Sequence, residues 1–79
     1  MIDKFVKWLE SNKISYSLKK ENKTTRIMTE CLIRVEISGN QLLIKDNTRT
    51  WYLVANDRGY LFLKNLIEWR LKNERRANK

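Results

Sequence analysis

The chain has 79 residues and a formal net charge of +8, from 17 lysines and arginines against nine acids and no histidine. This length predicts one domain, residues 1–79, with a small core, and no apolar run approaches the ~20 residues of a membrane-spanning helix. Without histidine, and with Cys31 as the only cysteine, we expect no catalytic residues, no metal site and no cofactor. We also expect no membrane partner and a cytoplasmic location, in a bacterium or an infected host cell.

The first segment has the apolar spacing of an amphipathic helix. Apolar residues recur at i, i+3, i+4 and i+7 and predict a helix over residues 3–12. Asp3 can cap its first turn, and Asn12 is expected to end it in the left-handed conformation. Apolar and polar residues then alternate, which predicts a strand near residues 14–19 before a polar turn.

The strongest pattern is an alternation over residues 25–37, which predicts one long central strand. The two-residue turn at 39–40 and a tight turn near 47–48 then set the register of strands near 41–46 and 50–55. The predicted cross-strand pairs are Arg34–Lys45, Val35–Ile44, Ile37–Leu42, Leu42–Leu53, Leu43–Tyr52 and Ile44–Trp51. Both turns place the apolar residues on the same side of an antiparallel meander.

The segment after Ala55 allows two interpretations. Residues 56–59 either cap a long helix or form a hairpin turn that leads to a further strand, so the last helix begins between residues 58 and 65 and reaches residue 77. We favour the long helix. The predicted fold class is therefore α+β, a single small domain in the order α-β-β-β-β-α, with the sheet packed by an N-terminal helix and a longer C-terminal helix.

The positive charge is concentrated at the two ends of the sequence. Residues 1–29 carry a net +4, residues 30–57 a net −1 and residues 58–79 a net +5. Clustered cations favour polyanions, because binding to phosphates releases counterions. We therefore predict a small basic non-catalytic protein that binds nucleic acid or a nucleic-acid-bound protein complex. The residues expected to contact nucleic acid are Lys19, Lys20, Lys23, Arg26, Arg34, Lys45, Arg70, Lys72, Arg75 and Arg76.

The alternative is a protein-binding inhibitor or adaptor with a host protein as target, such as a phage or mobile-element anti-defence protein of the anti-CRISPR type. Its interface would use Leu43 and Tyr52 on the outer face of the sheet, or Trp69 on the last helix. That sheet face either contacts a protein, is covered by a helix or stacks a base on Tyr52. Arg70 falls on the apolar stripe of the last helix, where it either reaches out to water or binds a partner. Arg34 faces Lys45, which indicates either separated, solvated side chains or an anion between them.

The order of a helix, an antiparallel meander and a closing helix is similar to the double-stranded-RNA-binding domain and to HicA-type mRNA interferase toxins. Phe5, Trp8, Leu9 and Glu10 resemble the Phe/Trp-Leu-Glu pattern of those toxins, but their Gly-Ser-His segment has no counterpart here. The RNA-binding domain has a Lys-Lys-x-x-Lys cluster at the start of its last helix, where this chain has Asp-Arg-Gly-Tyr at 57–60. The sequence is therefore assigned to neither family.

Overall fold

A computed structural model describes the backbone of residues 1–77 and the side chains of residues 1–73. The five strands form one antiparallel sheet in the order β1-β2-β3-β4-β5, with a helix before it and a helix after it. The element bounds are α1 Ile2–Ser11, β1 Tyr16–Glu21, β2 Thr24–Thr29, β3 Arg34–Ser38, β4 Gln41–Lys45, β5 Thr50–Val54 and α2 Asp57–Ala77. The predicted α+β class and antiparallel meander are confirmed, with five strands in place of four.

The prediction of one strand over residues 25–37 is wrong, because the chain turns back between Thr29 and Ile33. The N–H of Thr29 donates to the carbonyl of Ile33 (3.1 Å), and the N–H of Leu32 donates to the carbonyl of Thr29 (3.0 Å). Three residues lie inside this turn, so odd-numbered residues face the same side in both β2 and β3, as the pair Ile27–Val35 shows. The apolar alternation therefore continues through the turn without interruption.

The registers predicted from the two later turns are confirmed. The β3–β4 ladder pairs Arg34 with Lys45 and Val35 with Ile44, and the β4–β5 ladder pairs Leu43 with Tyr52. The remaining three predicted pairs are also present. Two independent restraints, turn position and apolar patterning, agree at these strands and leave one possible register.

Both helices pack on the same face of the sheet. Phe5 and Leu9 of α1 and Leu63 and Ile67 of α2 are fully buried. They join the inward side chains of the strands in one core, whose strand members are Ile27, Val35, Ile37, Leu42 and Ile44. The opposite face of the sheet is not covered by either described helix and remains open to solvent.

The end of α1 differs by one residue from the prediction. Asn12 has φ −98°, and the left-handed residue is Lys13, with φ 56°. The N–H of Lys13 donates to Glu10 (3.1 Å) and that of Ile14 to Leu9 (2.9 Å), which is the Schellman arrangement. Ile14 is buried in the core, as is Leu9. The apolar contact that accompanies the Schellman motif therefore favours a left-handed residue at Lys13 and not at Asn12. At the start of α1, Asp3 lies inside the first turn and Met1 occupies the cap position.

The long form of the last helix is confirmed. The side-chain oxygen of Asn56 accepts the N–H of Gly59 (3.0 Å), so Asn56 caps α2. Gly59 is buried against the carbonyl oxygen of Val54, which leaves no space for a Cβ atom. Close packing of the helix start on the end of β5 therefore requires glycine there. Among the described residues, neither helix is long and apolar enough to cross a membrane.

Candidate binding face of the sheet

The uncovered face of the sheet, here called the outer face, is a grid of three rows across five strands. The strand registers define these rows, because paired residues point to the same side. The first row is Ser17, Met28, Arg34, Lys45 and Thr50, the middle row is Lys19, Arg26, Glu36, Leu43 and Tyr52, and the third row is Glu21, Thr24, Ser38, Gln41 and Val54. Four cations and two acids therefore share this face.

Both acids of the outer face, Glu21 and Glu36, form ion pairs with cations of strands β1 and β2. Glu36 accepts a hydrogen bond from the guanidinium of Arg26 at 2.9 Å, and Glu21 lies 3.7 Å from the same group. Glu21 also lies 3.2 Å from the ammonium of Lys19. Arg26 is therefore largely neutralised by its neighbours, and the acids do not extend to the first row.

Asp46, which follows Lys45 in the chain, also has hydrogen-bond and ion-pair partners for both carboxylate oxygens. One carboxylate oxygen accepts the backbone N–H groups of Thr48 (2.8 Å) and Arg49 (2.7 Å) and the Thr48 hydroxyl (3.2 Å). The other lies 2.9 Å from the guanidinium of Arg70 on α2. The pKa of Asp46 lies below its usual value, chiefly because of the hydrogen bond from the Thr48 N–H. The Arg49 N–H, the Thr48 hydroxyl and the Arg70 charge also lower this pKa, whereas burial raises it.

Asp46 also explains the charge on the apolar stripe of α2. The sequence predicted that Arg70 either reaches out to water or binds a partner. Arg70 instead forms an ion pair with Asp46 in the β4–β5 loop, which neither interpretation included. Its guanidinium is half-buried, and within the described part of the chain its Nε atom has no hydrogen-bond partner. Arg70 thus fastens α2 to the β4–β5 loop, on the helix-covered side of the sheet.

Arg34 and Lys45 are directly opposed across β3 and β4 and lack an acidic partner among the described side chains. Both are exposed, and together they line a shallow, solvent-open depression with Met28, Leu32 and the Asp46 loop. Like charges opposed across strands destabilise a sheet slightly. An anion bound at the corner of the outer face that they form would relieve this repulsion.

A large apolar side chain stands at the same corner. Leu32, at the tip of the β2–β3 turn, is 60% exposed and has φ 65°, a conformation that bulky residues rarely adopt. Beneath it the Thr29 hydroxyl donates to the Ile33 carbonyl (3.1 Å) and lies 3.1 Å from the Cys31 sulfur. The buried Thr29 thus holds the turn that presents Leu32. Leu32 is not among the predicted site residues, because the apolar alternation predicts the middle of a strand at this position.

An exposed aromatic ring lies in the adjoining row. Tyr52 on β5 is 82% exposed, and its cross-strand neighbour Leu43 is half-buried beside it. Lys45 and Tyr52 are diagonal neighbours across β4 and β5, a relation in which residues lie about 7–8 Å apart. The accessible ring of Tyr52 is therefore a diagonal neighbour of one cation of the pair, with the other cation one strand further away.

The remaining predicted residues do not join this face. Lys20 is exposed on the helix side of β1, Lys23 lies in the β1–β2 turn, and Lys72 is exposed on α2. Trp69 is 59% exposed on α2, also away from the outer face. The side chains of Arg75 and Arg76 lie outside the described residues. The structure thus gathers six predicted residues on the outer face, namely Lys19, Arg26, Arg34, Lys45, Leu43 and Tyr52.

Comparisons with protein-family models, with curated proteins and with solved structures find no match to this chain. Within the described part of the chain, no group of three or more histidine, cysteine, aspartate or glutamate residues is placed to hold a metal ion. The case for a function therefore depends on the charges and exposed side chains of the outer face.

Proposed function

We propose that this protein is a non-catalytic binding protein for single-stranded nucleic acid and that the outer face is its interface. One observation carries the proposal. Arg34 and Lys45 are opposed without an acidic partner among the described side chains, beside the exposed ring of Tyr52. Glu36 and Asp46 form ion pairs with Arg26 and Arg70, not with Arg34 or Lys45.

The expected binding mode follows from the arrangement of these groups. Arg34 and Lys45 bind a backbone phosphate, and a neighbouring base stacks on Tyr52, since any base has a π face for an aromatic ring. Leu32 and Met28 border the phosphate site and offer apolar contact to the sugar or base. A wide sheet face suits splayed bases of a single strand better than a duplex, whose major groove accepts a helix or a two-stranded ribbon.

The test is fluorescence anisotropy of a labelled single-stranded oligonucleotide at several salt concentrations. Binding should weaken with salt at a log–log slope of about −0.7 per neutralised phosphate. Arg34→Ala with Lys45→Ala should weaken binding and flatten the slope. The matched control, Lys20→Ala with Lys23→Ala, removes the same charge away from the face and should have a much smaller effect.

Two results would count against the proposal. If both double variants lose the same affinity, the attraction depends on net charge alone and the outer face is not a site. If the wild-type protein shows no binding at low salt, where charge attraction is strongest, nucleic acid is not the ligand. Tyr52→Ala adds a third measurement, since loss of stacking should cost about 1–3 kcal/mol per base.

A second candidate function is a protein-binding inhibitor or adaptor that uses the uncharged side of the same face. The observation that favours it is the apolar corner formed by Leu43, Tyr52 and Val54, the last of which is 58% exposed. Leu43→Ser with Tyr52→Ala should then abolish complex formation with a target protein and lower the melting temperature only modestly. A fall of many degrees would show that these side chains act mainly in packing.

A further inference from the structure

Strand β5 is an edge of the sheet with unused backbone hydrogen-bonding groups. The N–H of Ala55 donates to the carbonyl of Asn40 (2.7 Å), and the N–H of Asp46 donates to the carbonyl of Arg49 (3.0 Å). In an antiparallel ladder every second pair is hydrogen-bonded, so these two bonds show which residues of β5 bond to β4. The backbone groups of Trp51 and Leu53 therefore point towards β4, and those of Thr50, Tyr52 and Val54 point to the free edge. The carbonyl of Val54 accepts the N–H of Asn56 (2.8 Å). Among the described residues no hydrogen bond to the free-edge groups of Thr50 and Tyr52 is present.

The two edges of the sheet differ in charge. The other edge, β1, is exposed and carries Lys19, Lys20 and Glu21, which oppose the approach of another strand. Strand β5 has the sequence Thr-Trp-Tyr-Leu-Val and is the one strand of this sheet without a charged residue. In a chain of net charge +8, the edge of β5 is therefore where a second copy can approach with least repulsion between facing strands.

We propose that two copies of this protein associate edge to edge, with β5 pairing antiparallel to β5 about a two-fold axis at Tyr52. In this register Tyr52 faces Tyr52 of the other copy, and Thr50 faces Val54. The central pair exchanges two hydrogen bonds, and each Thr50–Val54 pair exchanges two more. The N–H and carbonyl groups of Thr50 and Tyr52 and the N–H of Val54 gain partners, and the Val54 carbonyl, which already accepts the Asn56 N–H, accepts the Thr50 N–H with its second lone pair. A shift of the two-fold axis to Trp51 or Leu53 leaves some of them unpaired.

The helix beside β5 has a matching apolar side. Phe62, Leu66 and Trp69 follow one another at i, i+4 and i+7 on α2, and Phe62 contacts Trp51 of β5 with ring centroids 5.8 Å apart. The other side of α2 faces α1, where the Tyr60 hydroxyl donates to the carbonyl of Lys4 (3.1 Å). Phe62 is 38% exposed and Trp69 is 59% exposed. In the paired arrangement these side chains flank the two-fold axis and pack against the same residues of the second copy.

The experiment combines mass measurement with cysteine cross-linking in a Cys31→Ala background. Light scattering after size exclusion should give a mass that rises from 9.6 kDa to twice that value as concentration increases. Because the two copies repel each other elsewhere, added salt should strengthen the association, the opposite of its effect on nucleic-acid binding. Failure of the dimer and failure of the proposed function are thus distinguishable.

Cross-linking tests the register. Tyr52→Cys places two thiols in a directly opposed pair, with Cα atoms about 5.5 Å apart, within the range of a disulfide. Val54→Cys, on the same face of the same strand, faces Thr50 and lies too far from its own copy. With dissolved oxygen as the oxidant that takes up the two electrons, we expect rapid disulfide formation in the first variant and formation slower by about tenfold or more in the second. Circular dichroism should confirm that both variants are folded. Equal rates in the two variants, or a monomeric mass at all concentrations, would overturn the proposal.

Discussion

Asp46 stabilises the fold in two separable ways, as the acceptor of the β4–β5 turn and as the ion-pair partner of Arg70. Asp46→Asn keeps the side-chain oxygen that accepts the Thr48 and Arg49 N–H groups, and it loses the ion pair and hydrogen bond to Arg70 because the other oxygen becomes an NH2 group. Because the Arg70 side chain is 29% exposed and can regain water, we expect this change to cost about 1 kcal/mol. Asp46→Ala loses the turn as well and should cost about 2–4 kcal/mol.

Arg70→Met completes the comparison, since it keeps an apolar stem over the sheet and removes the unpartnered Nε atom. Its expected cost is about 1 kcal/mol or less. In a domain of this size 1 kcal/mol corresponds to a shift of about 4–8 °C in melting temperature. Urea unfolding followed by tryptophan fluorescence resolves these differences. Equal destabilisation by Asn and Ala at position 46 would refute the separation of turn and charge.

The pH dependence of unfolding provides an independent check. The folded-state pKa of Asp46 is below its usual value of 3.8. The stabilisation from its charge is therefore fully present above that value and is lost as the pH falls through the folded-state pKa. The stability difference between wild type and Asp46→Asn should be constant at neutral pH and vanish in acid. A difference that persists in acid would show that the charge is not its cause.

Three further changes probe the helix start, the turn and the outer face. Gly59→Ala should destabilise the protein by about 1–3 kcal/mol in urea unfolding, because the added Cβ meets the Val54 carbonyl. The control Asn65→Ala, on the exposed side of the same helix, should be neutral or slightly stabilising. Leu32→Gly should raise the melting temperature slightly, by relief of the left-handed strain, and weaken oligonucleotide binding in anisotropy. Glu36→Gln should tighten low-salt binding, since it releases the arginine that this acid neutralises.

The registers of β3, β4 and β5 were predictable because the turns and the apolar pattern specify them separately. The turn at residues 30–32 was not predictable from the apolar pattern, since its three-residue loop preserves the alternation and contains no glycine, proline or asparagine. The turn depends on the Thr29 side chain bonding to Ile33 inside the core, a contact that exists only once the strands have paired. Because this turn was not predicted, the positions of β1 and β2 beside β3 in the sheet could not be predicted from the sequence.

The candidate site was predictable to a similar extent. The opposition of Arg34 and Lys45 follows from the β3–β4 register and was anticipated. The neutralisation of Arg26 depends on Glu36 across the β2–β3 ladder, which was not predicted because residues 25–37 were expected to form one strand. The pairing of Asp46 with Arg70 joins residues 24 positions apart and depends on where α2 crosses the sheet. The sequence therefore predicted the four cations of the face, together with others that lie elsewhere, but not which of the four lack acidic partners among the described side chains.

The proposed dimer makes one more demand on the outer face, because it joins two such faces across the paired β5 strands. From the strand spacing and the rise per residue, the Lys45 side chains of the two copies lie about 20 Å apart on one continuous surface. A single strand long enough to span that distance engages both cation pairs, and its second contact is effectively intramolecular. A spanning oligonucleotide should therefore raise the dimer fraction in sedimentation velocity at fixed protein concentration. An oligonucleotide too short to reach both sites should leave that fraction unchanged, and equal effects of the two would show that the faces are not joined in this way.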